Sequence, residues 1–316
     1  MGITTQIDTA LLLSAGLGTR MGIIGKQLPK PLWPLFDQTI LDYQIQYLRN
    51  LKIKRIFINT HYLANQINEY INKKEYKDVT ILHEPVLLKS GGTIHNLLKL
   101  QSGVFSKLLV LNADQFYFPS KDIWEQACDK SKSHTAVLFP LKCSLKDEYN
   151  ELIIKNNLLQ EIIKFENLKK SPNVSYITFS GMGIINMDRL KYKAGISNFW
   201  DTVANYNSDQ IYITQAKEYC YYDFGTSQRY FDTCFKVAGE LKTKINLFSK
   251  LGVATNRLTD LEVEISGDKV LNFSKYPFSN LQGHRAIILK SNQKTIINSA
   301  GLYFNEIVDP IVPSLL

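Results

Sequence analysis

A chain of 316 residues, 45% hydrophobic and 11% aromatic, has the material for a large buried core and too much apolar content for a disordered chain. A net charge of +8 suits an anionic partner, but the cations are scattered; the densest pairs, Lys73-Lys74 and Lys169-Lys170, read as solvated faces, and no nucleic-acid-binding motif is present. No apolar run is long enough to span a bilayer, MGITTQIDTA has no basic leader, and Gln6 stands where myristoylation needs Ser or Thr, so neither a nucleic-acid nor a membrane partner is expected. Cys128, Cys143, Cys220 and Cys234 show no C-x-x-C spacing and no nearby His, so all four are expected reduced and buried, which suits a cytoplasmic location.

Residues 9–14 (TALLLS) form a continuous apolar run, the mark of a strand buried on both faces. Residues 40–51 place Leu41, Ile45 and Leu48 at helical spacing. Strands are read at 55–59, 79–82, 108–111 and 135–141, and helices at 64–71, 93–100 and 123–128. This alternation predicts right-handed βαβ units and an α/β fold: a doubly wound, mostly parallel, Rossmann-like sheet covered on both faces. Ligands bind beyond the carboxyl ends of such strands, so the loops after Ser14, Leu82 and Leu111 should share one edge. From about residue 150 the alternation loosens. A hairpin turns at Asn156-Asn157 between residues 152–155 and 158–165. A strand at 176–186, a short helix at 199–206, a strand at 210–216 and a helix at 227–241 follow. After residue 243 only short β-like pieces remain, LEVEI, KVLNF, RAIILK and KTIINS, without the hexapeptide repeat of a β-helical acyltransferase. The expected organisation is a main domain at 1–242 and a small β-rich region at 243–316. That region is free to pack on the main domain, to bind a partner or to build a homo-oligomer.

The loop SAGLGTR carries the first chemistry. Gly16 and Gly18 permit positive φ and close approach to a ligand. Successive N–H groups in such a turn make a nest for anions. Arg20 adds a forked, charge-assisted contact and Lys30 a compact charge. A P-loop is absent, and the dinucleotide fingerprint fails because Gly22 comes one residue late.

What distinguishes the stretch is its continuation: G-x-G-T-R, then Pro29, Lys30 and Pro31. Here the sequence resembles the sugar-1-phosphate nucleotidyltransferases, the enzymes that make NDP-sugars. LSAGLGTRM with PKPLWPL is similar to that family's opening motif. HEPVLLKSGGTI (83–94) looks like its nucleobase segment, and LVLNAD (109–114) like its N-G-D metal motif, with Ala113 in place of Gly. TFSGMGI (178–184) resembles the strand lining the sugar pocket. YYDFGTSQRY (221–230) resembles W-x-D-x-G-T-P-x-R, with Ser227 for Pro. The likeness covers roughly residues 9–240.

The resemblance implies Mg2+-dependent coupling of an NTP to a phosphorylated small-molecule acceptor, with release of pyrophosphate. A hexose- or N-acetylhexose-type 1-phosphate is the expected acceptor, with UTP ahead of GTP. Asp114 and Asp223 would hold Mg2+, Arg20 would stabilise the transferring and leaving phosphates, and Lys30 would bridge the α-phosphate and the acceptor. Ala15, Gly16, Gly18, Thr19, Asn112, Glu166, Gly181 and Thr226 are expected around the substrates. The base is expected to stack across Gly16, Gly91 and Gly92, with Glu84 accepting a ring N–H; the plainer reading of Glu84 is an exposed strand-end carboxylate. For Gly181 and Gly183 the plainer reading is a strand kink. His83 and His95 are read as surface residues. Where many relatives carry E-K-P, this chain has KFENLKK: Glu166 is kept, Asn167 stands at the lysine position, and Lys164 or Lys169 would have to reach across. Other readings stay open: a cytidylyltransferase for a non-sugar phosphate such as phosphocholine, and a catalytically silent, nucleotide-sugar-binding regulatory subunit; a glycosyltransferase of similar sheet architecture would need a D-x-D motif, where Gln115 and Phe116 follow Asp114.

Overall fold

The computed structural model describes residues 7–171, 174–241, 243–254, 265–266, 270–274, 276–280 and 284–311. The first apolar run is strand β1 (Thr9–Leu13), paired in parallel on both sides. A two-residue ribbon, β2 (Pro34–Leu35) with β3 (Gln38–Thr39), leads into helix α1 (Ile40–Asn50). Thr39 starts that helix with a capping box: its hydroxyl accepts from the Asp42 N–H at 3.1 Å, and Asp42 accepts from the Thr39 N–H at 3.0 Å. The alternation continues through β4 (Arg55–Thr60), α2 (Ala64–Lys74), β5 (Val79–His83), α3 (Lys89–Leu100) and β6 (Lys107–Asn112). A short strand β7 (Gln115–Phe118), α4 (Lys121–Lys130) and β8 (Ala136–Cys143) follow. Asn156 and Asn157, at φ 52° and 62°, turn the hairpin between β9 (Glu151–Lys155) and β10 (Leu158–Ile163). Next come β11 (Tyr176–Asn186), α5 (Phe199–Thr202), β12 (Ile211–Ile213), β13 (Cys220–Asp223) and α6 (Ser227–Glu240).

The main sheet has nine strands in the order β5-β4-β1-β6-β11-β8-β12-β10-β9. All but β11 and β10 run the same way, so the sheet is mixed but mostly parallel, as expected. Alternate residues feed two cores. Ala10, Leu12, Ile56, Ile58, Leu109 and Leu111 face one cluster with Leu41, Ile45 and Ile67 of α1 and α2. Leu11, Phe57, Leu108 and Val110 face the other with Ile94, Leu97 and Phe199 of α3 and α5. The carboxyl ends of β1, β4, β5 and β6 lie on one edge, which places the loops after Ser14, Leu82 and Leu111 together. The antiparallel pair β7–β13 stands outside this sheet and brings Asp223 opposite Gln115.

Three expectations need correction. Helix α3 begins at Lys89, ahead of the periodic apolar residues, so Gly91 and Gly92 are helical. His95, expected at the surface, is buried at 1% exposure. Cys143 and Cys234 are buried, whereas Cys128 and Cys220 are only partly so; all four are free.

Beyond α7 (Leu247–Lys250) the chain coils through β14 (Ile265–Ser266), β15 (Val270–Asn272), β16 (Phe278–Ser279), β17 (Ala286–Lys290), β18 (Thr295–Ile296), β19 (Gly301–Phe304) and β20 (Ile307–Pro310). β15, β17 and β19 stack in parallel in one sheet, while β16 and β18 pair in parallel in another. The chain therefore passes from sheet to sheet as a short parallel coil, built without a hexapeptide repeat. Val270, Ala286, Ile288, Ile297 and Tyr303 fill the coil. Their neighbours Leu271, Ile287, Leu289 and Leu302 point the other way and join the large core that also holds Phe36 and Phe248. Residues 261–264 of LEVEI, Lys269 of KVLNF and Gln6 lie outside the described residues. Among the described residues, no helix is long and apolar enough to cross a membrane.

Candidate active site

The glycine loop leaves β1 over a buried polar brace. The N–H groups of Ser14 and Ala15 donate to Asn59 Oδ1 at 2.7 and 3.3 Å, fixing the start of the loop to the end of β4. Asn59 in turn donates to Glu84 Oε1 at 2.9 Å, which also accepts from Thr93 at 2.5 Å; Glu84 Oε2 accepts from the Leu88 N–H at 3.0 Å. Glu84 is therefore neither an exposed strand end nor a base acceptor facing the cleft. It is buried at 1% exposure and its oxygens serve the protein. Gly18 takes φ +65°, the left-handed conformation that favours glycine, and the Met21 N–H closes the turn on its carbonyl at 2.9 Å. Gly16 and Thr19 are exposed on the same cleft, and a Cβ built at Gly16 would meet no protein atom within 4 Å. The space above Gly16 is thus open to a ligand.

Lys30 is set by the turn Lys30–Leu32 between Pro29 and Trp33, and Trp33 is pinned edge-on to Tyr230 at 4.9 Å. Its ammonium lies 2.6 Å from Asp114 Oδ2 and 2.9 Å from the Gly225 carbonyl. Asp114 follows β6 and Asp223 ends β13. A Cβ built at Gly225 would lie 2.8 Å from Asp223 Oδ1 and 3.7 Å from Asp114 Oδ2, so the two carboxylates converge on one small space. The backbone closes the same assembly: Phe224 N–H donates to the Asp114 carbonyl at 2.9 Å, and Ser227 N–H to the Arg20 carbonyl at 3.2 Å. Two carboxylates around a cradle that only glycine leaves open, Asp114 already paired with the Lys30 ammonium and Asp223 with Arg229, form a donor set that fits a hard divalent cation completed by phosphate oxygens and water. No cluster of three His, Cys, Asp or Glu occurs among the described residues.

Two clefts meet at this point. One, of about 290 Å³, is lined by the glycine loop, Arg20, Lys30, Tyr62, Asn112 and Asp114. The other, of about 240 Å³, is lined by Leu152, Ile162, Phe179 and Trp200 together with Tyr149, Gly225 and Arg229. Arg20, Asn112 and Gln115 line both. Gly181, at φ +83° in a bulge of β11, lies where a Cβ would come 2.4 Å from Asn112 Nδ2 and 2.5 Å from Gln115 Oε1. Its missing side chain lets the Asn112–Gln115 pair, bonded at 2.9 Å, form the wall between the clefts.

Arg229 closes the motif matched at 221–230 but is given no role by the sequence analysis, and Tyr149 is absent from it. Arg229 donates to Asp223 Oδ2 at 3.0 Å, to the Tyr149 hydroxyl at 2.7 Å and to the Asp147 carbonyl at 2.6 Å, and it stacks 4.7 Å from the Tyr149 ring centre. Tyr149 also donates to Asp223. Burial and then the Asp223 charge hold the Tyr149 hydroxyl above its ordinary value, so it remains a donor. Burial works against the Arg229 charge, but Asp223, Tyr149 and Tyr221 outweigh it and keep the guanidinium above its ordinary value. Arg229 was within reach, since it stands three residues after Thr226 at the start of α6; nothing in the sequence around Tyr149 marks it.

Of the expected binding residues, Gly91, Gly92 and Thr226 make packing or capping contacts within the fold, Glu166 lines neither cleft and Ala15 is buried. A Cβ at Gly91 would lie 2.4 Å from the Asn198 carbonyl oxygen, and one at Gly92 2.7 Å from that of Gly195, so these glycines let α3 pack against the 195–198 segment. Thr226 is the N-cap of α6, its hydroxyl accepting from the Arg229 N–H at 3.1 Å. Glu166 is exposed and pairs with Lys164 at 3.7 Å; neither it nor Lys169 lines either cleft. Ala15 is buried beneath the loop.

Residues 9–233 match the nucleotidyl transferase family model. The chain belongs to the nucleotidyl transferase family. It is 36% identical over 110 residues to the D-glycero-alpha-D-manno-heptose 1-phosphate guanylyltransferase of Campylobacter jejuni, covering 34% of this chain and 48% of that one. It is 25% identical over 209 residues to a bifunctional sugar-1-phosphate nucleotidylyltransferase/acetyltransferase of Sulfurisphaera tokodaii, covering 66% and 46%. The matches thus span about half the length of these relatives. The fold is similar to that of HddC from Yersinia pseudotuberculosis complexed with GMP-PN, at a TM-score of 0.61 and 21% identity, covering 73% of this chain and 99% of HddC.

Proposed function

We propose that this nucleotidyl transferase couples an NTP to a phosphorylated small-molecule acceptor, with a sugar 1-phosphate as the leading class. The observation that carries the reading is the meeting of two clefts at Arg20, which both share, beside Lys30 and Asp114, with Asp223 just behind across the Gly225 turn. The NTP occupies the cleft under the glycine loop, with its phosphates on the loop N–H groups and Arg20. The acceptor phosphate enters from the side of Tyr149, Gly181 and Arg229. Its oxygen attacks the α-phosphorus; a new P–O bond forms, the bond to the β-phosphate oxygen breaks, and pyrophosphate leaves with the electron pair. The nucleophile is already an anion, so the protein needs no strong base. Its work is to bring two anions into line and to screen their repulsion. Arg20 spans both substrates, and the Lys30 ammonium lies between the carboxylates and the phosphates. Asp114 and Asp223 would hold Mg2+, which when bound supplies charge neutralisation at the α-phosphate.

Arg229 supplies the acceptor side with the cation that Asn167 does not. Phe179 and Trp200, with ring centres 5.4 Å apart and backed by the buried Phe199, line the acceptor cleft with flat apolar surface. Such a wall suits the apolar face of a sugar, and it also suits a quaternary ammonium such as that of phosphocholine. Likeness to a guanylyltransferase puts GTP first among the nucleotides to test, beside UTP and CTP. The deciding experiment is pyrophosphate release from each NTP against a panel of hexose 1-phosphates, heptose 1-phosphates and phosphocholine. Release that requires one NTP and one acceptor together is expected. NTP binding without turnover for any pair would favour the regulatory reading. Free cysteines accord with a cytoplasmic place for the reaction.

A further inference from the structure

Gly22 is the glycine that spoils the dinucleotide fingerprint, and nucleotide binding gives it no task. The far end of the chain does. Gly22 takes φ +57°, and a Cβ built there would lie 1.9 Å from Asp309 Oδ2 and 2.5 Å from its Cγ. Asp309 belongs to β20, in the C-terminal sheet, and is 9% exposed. Its Oδ2 accepts the Ser227 hydroxyl at 3.0 Å. Ser227 follows the Asp223–Thr226 turn directly, and its N–H donates to the Arg20 carbonyl at 3.2 Å. One carboxylate from beyond the matched residues 9–233 thus touches both the turn after Arg20 and the helix start after Asp223. Among the described residues it has no ion-pair partner, and burying such a group costs stability that an apolar residue would not forfeit.

We propose that Asp309 is a positioning residue for the transfer site. It clamps Ser227 and the Gly22 turn together and so fixes the backbone of Arg20 where the two clefts meet. The C-terminal coil is in this way a working part of the transferase. Arg285, directly before β17, strengthens the join, its guanidinium 4.3 Å from the Phe235 ring centre and 5.6 Å from that of Phe231 on α6. The inference rests on the role given to Arg20 under the proposed function.

The test compares the full-length chain with Asp309→Ala, Asp309→Asn, Ser227→Ala and the Asp309→Ala/Ser227→Ala pair. Loss of one buried hydrogen bond to a charged group should lower kcat/KM for the NTP by about tenfold in either alanine variant. The double variant should be no worse than the poorer single one, because both remove the same clamp. Asp309→Asn keeps the volume and an acceptor oxygen and should stay within about threefold of wild type. Wild-type kcat/KM in folded Asp309→Ala or in Ser227→Ala would overturn the proposal, as would strictly multiplicative losses in the pair. A lowered melting temperature with unchanged kcat/KM would make the contact purely structural and overturn it equally. If the wild-type chain shows no turnover with any pair, the proposed function fails by itself. The clamp is then read from the NTP-induced rise in melting temperature, which Asp309→Ala should lose and Asp309→Asn should keep; an equal rise in both overturns it.

Discussion

Under the proposed function, a single side chain, Arg229, makes good a gap in the sequence. The lysine of E-K-P is absent, and the lysines near it in the chain point elsewhere: Lys164 pairs with Glu166, and Lys170 with Glu151 at 2.9 Å. Arg229 reaches the cleft proposed for the acceptor from another element and is held there by Asp223, Tyr149 and the Asp147 carbonyl. Arg229→Lys keeps the charge but loses the fork and the stacking on Tyr149. It should raise KM for the acceptor by about tenfold while leaving KM for the NTP within about twofold; steady-state kinetics with each substrate varied in turn checks this. An equal rise in both constants would place Arg229 outside the acceptor subsite. Gly91 offers a second test at this scale. Gly91→Ala drives a methyl toward the Asn198 carbonyl oxygen, at 2.4 Å before any relaxation, and should cost about 1–3 kcal/mol of stability. Activity per folded molecule should hold. A variant with wild-type melting and poor NTP binding would restore the base-stacking role that the packing of α3 takes from this glycine.

The elements show where the sequence was readable and where physics hid the answer. β1, β4 and β6 are buried on both faces, so unbroken apolar runs announce them. The β9–β10 hairpin is announced by two asparagines that tolerate positive φ. The glycine loop was legible because a strand end, two glycines and an arginine compress its chemistry into seven residues. Helix α3 was misread because glycine is the residue least expected in a first helical turn; only the backbone of residues 195–198, far away in sequence, explains it. The β7–β13 ribbon was missed because its strands are four residues long and its partners lie about a hundred residues apart. That ribbon is nevertheless what sets Asp223 beside Asp114. The C-terminal coil was legible as β but not as a parallel stack, since its strands begin at 270, 286 and 301 with no residue repeat to mark the turns.

On the scale of the whole molecule, the coil is bound into the main core. Leu271, Ile287, Leu289 and Leu302 share one cluster with Phe36, Tyr43 and Phe248, and Phe36 sits 5.2 Å from the Phe248 ring and 5.3 Å from that of Phe273. A chain ending at residue 242 would bare this surface. Burial of apolar area is the main favourable term behind a domain's narrow margin, so baring this cluster lowers stability. The truncated chain should aggregate or melt well below the full chain; a soluble 1–242 fragment with wild-type melting would show two independent units. The central claim, however, is that residues from opposite ends of the catalytic fold converge on one triphosphate. Pyrophosphate release by Asp114→Asn and Asp223→Asn tests it most directly, because each change keeps the side-chain volume and removes only charge. Both variants should fold and melt within a few degrees of wild type and lose turnover by about 10²-fold or more; near-normal release by either would contradict the account.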